Sequence, residues 1–210
     1  MSSAREEILR RIRTALGDSP GTQNYSSLPR EYQQTGLLDR AERIDLFEDR
    51  LRDYGVSVFR CAEQDLPVTI RDVMNARGKR SLLIPRGFPK EQLPPSFEFR
   101  VDDQLTYEDL DRSEGVLTGC AIAIASTGTV TLRHSTDEGR RALTLIPDYH
   151  LCVVRGGQVV ELPVEAVRIM STFGTAALTT VSGPSATSDI EMVRIKGVHG
   201  PRVLDMILVI

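Results

Sequence analysis

The chain has 210 residues, enough for one hydrophobic core of ordinary domain size, and 40% of its residues are apolar while 26% are charged. Its 26 basic and 29 acidic residues leave a formal charge of −3 with both signs interleaved, a pattern that speaks against a nucleic-acid partner. Because no apolar run approaches the roughly 20 residues of a membrane-spanning helix and the first residues lack the apolar stretch of a secretory signal, we expect a cytoplasmic protein.

The first 55 residues predict two helices separated by a polar connector. Ser3 and Glu6 have capping-box spacing, and Gly17 suits the position just after a helix end. The connector, residues 18–35, contains two prolines and shows no apolar period. A second amphipathic helix before Gly55 is indicated by apolar residues at helical spacing: Leu37, Ala41, Ile44, Phe47 and Leu51.

Short apolar runs follow Gly55 and predict strands. The first half has runs at residues 56–59, 81–84 and 97–101, with a helical stretch at 66–74, and this alternation predicts a parallel sheet. The second half predicts a helix near residues 164–173 and strands within 120–126, 129–134, 143–147, 151–155, 178–182 and 206–210. The expected fold is therefore α/β: a domain of residues 36–210 with a mainly parallel sheet flanked by helices, preceded by an N-terminal helix and connector over residues 1–35.

The cysteines and histidines do not predict a metal site. Cys61, Cys120 and Cys152 are isolated from one another, so no C-x-x-C pair is present to hold zinc or an iron–sulfur cluster. The histidines also lack metal-ligand spacing, and we expect no metal or cofactor in this chain. Cys120 adjoins the apolar residues 121–125, which favours a buried, inert thiol over a nucleophile.

Three glycine-containing segments are candidate ligand sites, because each adjoins an apolar run and open α/β sheets bind ligands where strands end. The first consists of Ser126, Thr127, Gly128 and Thr129. Glycine permits a tight turn and a close approach, and the three hydroxyl groups can donate hydrogen bonds to ligand oxygens. The alternative for this segment is a plain hairpin turn.

The second segment, residues 182–191, is a loop of small residues that is expected to open a short helix. Ser188 and Glu191 have capping-box spacing, and amides at a helix start attract phosphate or carboxylate. The alternative is a capped helix without a ligand. Its ligand-binding candidates are Ser182, Gly183, Ser185, Thr187, Asp189 and Glu191.

The third segment, residues 197–202, precedes the last predicted strand and offers His199, Gly200 and Arg202. The guanidinium could bind a carboxylate or phosphate, and the imidazole could donate a hydrogen bond or transfer a proton. A purely structural turn is the alternative. If the three segments bind one ligand, their turns must converge on a cleft at one edge of a single sheet.

Two further histidines are weaker candidates. Arg133 and His134 follow a predicted strand and precede residues 135–138, a pattern typical of a solvated turn that leads into a helix start. His150 adjoins the apolar run 151–154 and is interpreted as a strand boundary. Neither position is assigned a chemical role from the sequence.

Four segments in fixed order resemble the lactate-utilization protein C family, whose members carry a LUD domain. They are AIASTGTVTL, LTLIPDYHLCVV, SGPSATSDIE and GVHGPRVLDMILVI, and the resemblance spans residues 115–210. It implies a fold similar to the sugar-phosphate isomerase and CoA-transferase group. It also implies membership of a three-component system that oxidises L-lactate to pyruvate, whose other two subunits are iron–sulfur proteins.

The resemblance favours an accessory, non-redox subunit that binds a small anion or its iron–sulfur partners. Many relatives have an acidic residue where this chain has Ser126, so a carboxylate-dependent step at that position is not carried over. Two alternatives remain open. The chain could be an independent enzyme acting on a phosphorylated or CoA-linked metabolite, or a structural assembly protein with residues 1–35 as a docking arm.

Overall fold

The structure is a computed structural model that describes residues 4–17, 27–187, 195–196 and 200–210. Its contacts divide the chain into two units, Met1–Gln33 and Gln34–Ile210. No helix in the part of the chain that the structure describes is long and apolar enough to cross a membrane.

The first unit contains the predicted N-terminal helix, α1 (Ala4–Leu16). Gly17 follows it with φ of 57°, the left-handed conformation that glycine adopts readily after a helix end. None of the residues of α1 is buried, and Ile8, Ile12 and Leu16 are exposed. The predicted capping residue Ser3 lies outside the described residues.

The second unit combines helices with two main sheets. Its helices are α2 (Arg40–Asp53), α3 (Leu66–Ala76), α4 (Tyr107–Asp111) and α5 (Pro163–Met170). Its strands in the first half are β1 (Ser57–Cys61), β2 (Ser81–Ile84), β3 (Glu98–Val101), β4 (Val116–Thr118), β5 (Ile122–Ile124) and β6 (Thr129–Leu132). The later strands are β7 (Tyr149–Arg155), β8 (Val159–Val160), β9 (Thr179–Val181), β10 (Ala186–Thr187), β11 (Ile195–Lys196) and β12 (Val203–Val209).

A six-stranded parallel sheet forms the centre of this unit, in the order β1-β12-β7-β4-β2-β3. This sheet confirms the predicted α/β fold. The apolar side chains of α3 cover one face of the sheet, while α2, β5 and β6 cover the opposite face. Coverage on both faces explains the continuous apolar run of β12, since successive side chains point to opposite faces and each of them meets a core.

The expectation of a single sheet is wrong, because β5 and β6 belong to a second sheet of four strands in the order β8-β5-β6-β9. A tight turn joins β5 to β6, and the two strands pair antiparallel. Parallel strands require a crossover of a dozen or more residues, so this short connection could not place β5 and β6 side by side in the parallel sheet.

Two local predictions are also corrected. Residues 143–147 form no strand: a short 3₁₀ helix spans Arg141–Thr144, although Leu143 is fully buried. A short apolar run indicates burial but cannot by itself distinguish a strand from other buried backbone. Leu37 is 87% exposed and lies outside α2, because Asp39 and Glu42 form the capping box that starts that helix.

Candidate functional site

Hydrogen bonds join each glycine-containing segment to the next. Thr127 Oγ1 donates to Thr129 Oγ1 at 2.8 Å, and Thr129 Oγ1 lies 2.7 Å from Ser182 Oγ, which connects the first segment to the second. The Ser185 amide donates to the carbonyl of Pro201 at 2.8 Å, which connects the second segment to the third. The described parts of the three segments are therefore neighbours in space.

The second and third segments border a cavity of about 270 Å³, which we call the Arg141 cavity. The second segment contributes residues 182–186, the third contributes Gly200 and Pro201, and the other lining residues carried no site prediction. The residues that line the cavity are Arg141, Thr144, His150, Thr179, Thr180, Val181, Ser182, Gly183, Pro184, Ser185, Ala186, Gly200, Pro201 and Leu204.

The Arg141 cavity lies at the amino ends of β7 and β12, beside the edge strand β9. His150 is the second residue of β7, and Gly200, Pro201 and Leu204 surround the start of β12. The sequence pattern predicted a crevice at the carboxyl ends of the strands, and this expectation is wrong for this cavity. The third segment precedes its strand, so its turn can only lie at the amino end.

Arg141 gives the cavity its charge. Its Nη1 donates to the Thr144 carbonyl at 3.4 Å, and within the described residues no carboxylate lies within ion-pair distance of the guanidinium. Burial lowers the pKa of Arg141 from its ordinary value. Because an arginine stays protonated even so, the cavity presents a partly desolvated positive charge without a carboxylate among its described lining residues.

His150 is almost completely buried and is held in one orientation by Thr118. Thr118 Oγ1 lies 2.8 Å from His150 Nε2 and donates its proton to the Gly119 carbonyl at 2.8 Å. Because a carbonyl can only accept, the hydroxyl must accept from the ring, so Nε2 of His150 carries the proton.

Ser182 adds a hydroxyl group at the cavity wall, 2.7 Å from Thr129 Oγ1. Thr129 Oγ1 accepts from the Thr127 hydroxyl and also has the Thr127 carbonyl as an acceptor at 3.4 Å, so either hydroxyl of the Thr129–Ser182 pair is able to donate. The cavity thus combines a guanidinium with hydroxyl groups, which are donors that carboxylate and phosphate oxygens accept from in proteins. The N–H of the His150 imidazole is already directed to Thr118.

Ser126 and Thr127 border a different cavity, of about 360 Å³, together with Arg50, Asp53 and Tyr54. The Ser126 hydroxyl is buried and has no hydrogen-bond partner among the described residues. Gly128 has φ of 59°, so the first segment is the tight connection between β5 and β6. The first segment therefore reaches the Arg141 cavity only through the contact of Thr129 with Ser182.

The remaining predicted site residues do not line the Arg141 cavity or lie outside the described residues. Arg202 is exposed and pairs with Asp148 at 3.2 Å. Thr187 ends β10, which pairs antiparallel with β11, so a strand stands where the approach to a helix was expected. The positions that lie outside the described residues are Ser188, Asp189, Glu191 and His199.

Sequence reasoning missed Arg141 and the position of His150. For His150 the sequence contained a signal. Every second side chain of a strand points to the same face, so His150 lies on the same face of β7 as the core residues Cys152 and Val154. For Arg141 the sequence contained no signal. The chain has many arginines, and only the folded structure shows that no carboxylate of the described residues lies near this guanidinium.

None of the three cysteines lines the Arg141 cavity. Cys120 and Cys152 are buried and Cys61 is partly buried, all as free thiols. A hydrogen bond with Cys152 and burial raise the pKa of Cys120, which keeps that thiol protonated. Across the described residues, no group of three or more His, Cys, Asp or Glu side chains is placed to hold a metal ion.

Comparison with known proteins gives one consistent family. Residues 44–209 match the model of the LUD domain. A protein named lactate utilization protein C from Deinococcus radiodurans is 42% identical over 99% of this chain and 96% of its own length. A protein of the same name from Oceanobacillus iheyensis is 24% identical over 94% of each chain.

A solved structure agrees with this result. The crystal structure of a DUF162 family protein from Deinococcus radiodurans superposes with a TM-score of 0.72 at 41% identity. It covers 82% of this chain and 99% of the solved chain. The chain therefore belongs to the LUD-domain family, in the group of relatives called lactate utilization protein C.

Proposed function

We propose that this protein is a component of a system that oxidises L-lactate to pyruvate. In this proposal it is a non-redox, accessory subunit that binds a small anionic ligand in the Arg141 cavity. The names of the relatives support the pathway, and the desolvated guanidinium of Arg141 is the observation that carries the ligand-binding role.

The size and the chemistry of the cavity favour a small carboxylate. Its volume of about 270 Å³ is at the lower limit of sites for drug-sized ligands, which start at about 300 Å³. A guanidinium binds a carboxylate through two parallel hydrogen bonds. Lactate and pyruvate both carry one carboxylate, and the Ser182 hydroxyl at the cavity wall offers a contact for the oxygen on the second carbon.

Electron transfer is assigned to partner subunits. The described residues include no cluster of thiols that resembles an iron–sulfur site, and the three cysteines of the whole sequence are too few for a four-cysteine cluster. We propose that the redox groups lie on two iron–sulfur partner subunits.

Titration of the full chain with L-lactate and with pyruvate, followed by calorimetry, tests the ligand. Replacing Arg141 by glutamine removes a charge-assisted hydrogen bond worth about 1.5–3 kcal/mol, so we expect affinity to fall about tenfold to a hundredfold. Arg112→Gln is the matched control, because Arg112 is exposed and pairs only with the exposed Glu108.

Two results would contradict the proposal. Equal affinity in the wild type and in Arg141→Gln would remove the cavity as the ligand site. Turnover of lactate by the purified chain with an artificial electron acceptor would show that the chain is a self-sufficient oxidoreductase instead of an accessory subunit.

A further inference from the structure

A second cavity, of about 420 Å³, lies beside the Arg141 cavity, on the other side of the segment that carries Arg140 and Arg141. Pro85 and Arg86 follow β2 directly, and Asp102 and Gln104 follow β3, so these residues lie at the carboxyl ends of the two strands. The segment 134–140, which comes after β6, forms the remaining wall. We call this site the carboxyl-edge cavity.

The strand order places this cavity beside the point where open α/β sheets bind ligands. From β2 the chain continues to β3, which lies at one edge of the six-stranded sheet. From β4 the chain continues, within this sheet, to β7, which lies in the opposite direction. Connections therefore diverge between the neighbours β2 and β4, and this divergence opens a crevice outside their carboxyl ends. The Arg141 cavity has no such relation to the topology.

Backbone strain is concentrated at the same place. Among the described residues, Gln104 and His134 are the non-glycine residues with positive φ, at 58° and 49°. Both line the carboxyl-edge cavity. Strained residues of this kind cluster at ligand sites, where the surrounding structure holds them in place.

The wall formed by residues 134–140 is fixed at three points. The Gly87 amide donates to the Thr136 carbonyl at 2.8 Å, and His134 Nδ1 donates to the Gly139 carbonyl at 3.1 Å. Arg140 makes two hydrogen bonds to Asp102, at 2.8 and 3.0 Å. A cavity whose walls are fixed in this way loses little entropy when a ligand binds.

The lining carries a surplus of positive charge. The lining includes two arginines, Arg86 and Arg140, and one aspartate, Asp102, which pairs with Arg140. Arg86 pairs with Asp103, but both side chains are mostly exposed, and such surface pairs are weak enough to be exchanged for a ligand. Gln104 adds an exposed amide, and Thr136 adds an exposed hydroxyl that donates to Asp137 at 3.2 Å.

These donors come from three separate segments and approach from different directions, which suits a tetrahedral group with several oxygens better than a planar carboxylate. We propose that the carboxyl-edge cavity is a second ligand site, which binds a small molecule through its phosphate group. This inference is independent of the Arg141 cavity and adds a phosphorylated ligand to the small carboxylate of the proposed function.

Titration of the full chain with inorganic phosphate, monitored through backbone amide chemical shifts, locates the site. We expect saturable shifts at Arg86, Gln104 and Thr136, and smaller effects at the Arg141 cavity. Shifts confined to the Arg141 cavity, or no saturable shift at millimolar phosphate, would overturn the proposal.

Variants separate the two sites. In Arg86→Gln we expect phosphate affinity to fall about tenfold or more, because a charge-assisted contact is lost. Arg112→Gln, an equally exposed arginine in a surface pair, should leave phosphate affinity unchanged. Arg141→Gln should also leave it unchanged even if lactate binding is lost, so failure of one proposal is distinguishable from failure of the other. Phosphate affinity that falls in Arg141→Gln but not in Arg86→Gln would refute the second site.

Discussion

Asp205 is the most deeply buried carboxylate with an ionic partner in the described part of the chain, and it shows how single residues control stability here. It lies in the middle of the parallel sheet on β12 and accepts hydrogen bonds from Arg77 Nε at 2.7 Å and Nη2 at 2.5 Å. The Tyr149 hydroxyl donates to it at 3.0 Å. Burial and the Asp205 charge raise the pKa of Tyr149, so this hydroxyl stays a donor.

Removal of the Asp205 charge should destabilise the protein strongly. In Asp205→Asn the charge-assisted hydrogen bonds from Arg77 are lost, and because the Arg77 side chain is 36% exposed and can be hydrated, we expect a cost of about 1.5–3 kcal/mol. Asp148→Asn is the control, because it breaks the exposed pair with Arg202, which is worth about 0–1 kcal/mol. Chemical denaturation measures both. Similar free energies of unfolding for the two variants would contradict the assigned role of Asp205.

Two glutamates, Glu161 and Glu165, hold the segment before α2 in place. Glu161 accepts from the amides of Leu37 and Leu38 at 2.6 and 2.7 Å, and Glu165 accepts from the Gly36 amide at 3.0 Å. These bonds attach residues 36–38 to β8 and to the start of α5. The exposed side chain of Leu37 contributes nothing to this attachment, which is made by its backbone.

This attachment should depend on pH. Burial raises the pKa of Glu165, but hydrogen bonds from the amides of Gly36, Leu162 and Glu161 outweigh burial, so the pKa lies below its ordinary value of 4.5. A carboxyl group whose pKa is lower in the folded state than in the unfolded state stabilises the fold at any pH above its pKa in the unfolded state. This stabilisation is lost as the pH falls through the pKa of the folded state. We therefore expect the Gly36 amide to exchange its hydrogen faster as the pH falls below 4.5 than intrinsic exchange rates predict.

Glu165→Gln should lose this pH dependence and exchange faster already at neutral pH. The control is Glu108→Gln, whose carboxylate is exposed and makes only a surface pair with Arg112. A wild-type exchange profile that is preserved in Glu165→Gln would show that the attachment does not depend on the carboxylate.

At the scale of the whole molecule, the segment that leads from β6 to β7 separates the two cavities. His134 belongs to the wall of the carboxyl-edge cavity and Arg141 to the wall of the Arg141 cavity. His134 Nδ1 donates to the Gly139 carbonyl, so Nε2 of the neutral ring accepts from the Thr179 hydroxyl at 2.7 Å. The segment is therefore attached to β9 on one side and to the β2 end on the other.

Because the dividing segment is fixed on both sides, the two sites should bind their ligands at the same time. We expect the affinity for L-lactate to change less than about twofold when phosphate is saturating, since a coupling free energy of ordinary size, about 1–3 kcal/mol, requires a change of state that this segment does not show. Calorimetric titration of lactate with and without phosphate measures this. An apparent lactate affinity that falls in proportion to phosphate concentration would indicate one shared site.

Local patterns were sufficient for most elements. The helical spacing of Ile44, Phe47 and Leu51 predicted α2, and the alternation of short apolar runs with a helix predicted the parallel sheet. The resemblance of residues 115–210 identified the family that the comparisons confirm. These features depend on residues close together in the chain, where burial on one face produces a regular period.

The sequence by itself determined the α/β class, the helices and the family. Only the tertiary structure decided that β5 and β6 leave the parallel sheet, that the second and third segments meet at the amino ends of strands, and that Arg141 is the arginine that faces a cavity without a carboxylate among its described neighbours. The physical reason is that a charge acquires its environment from residues distant in sequence, such as Thr179 and Pro201, and no local period records those contacts.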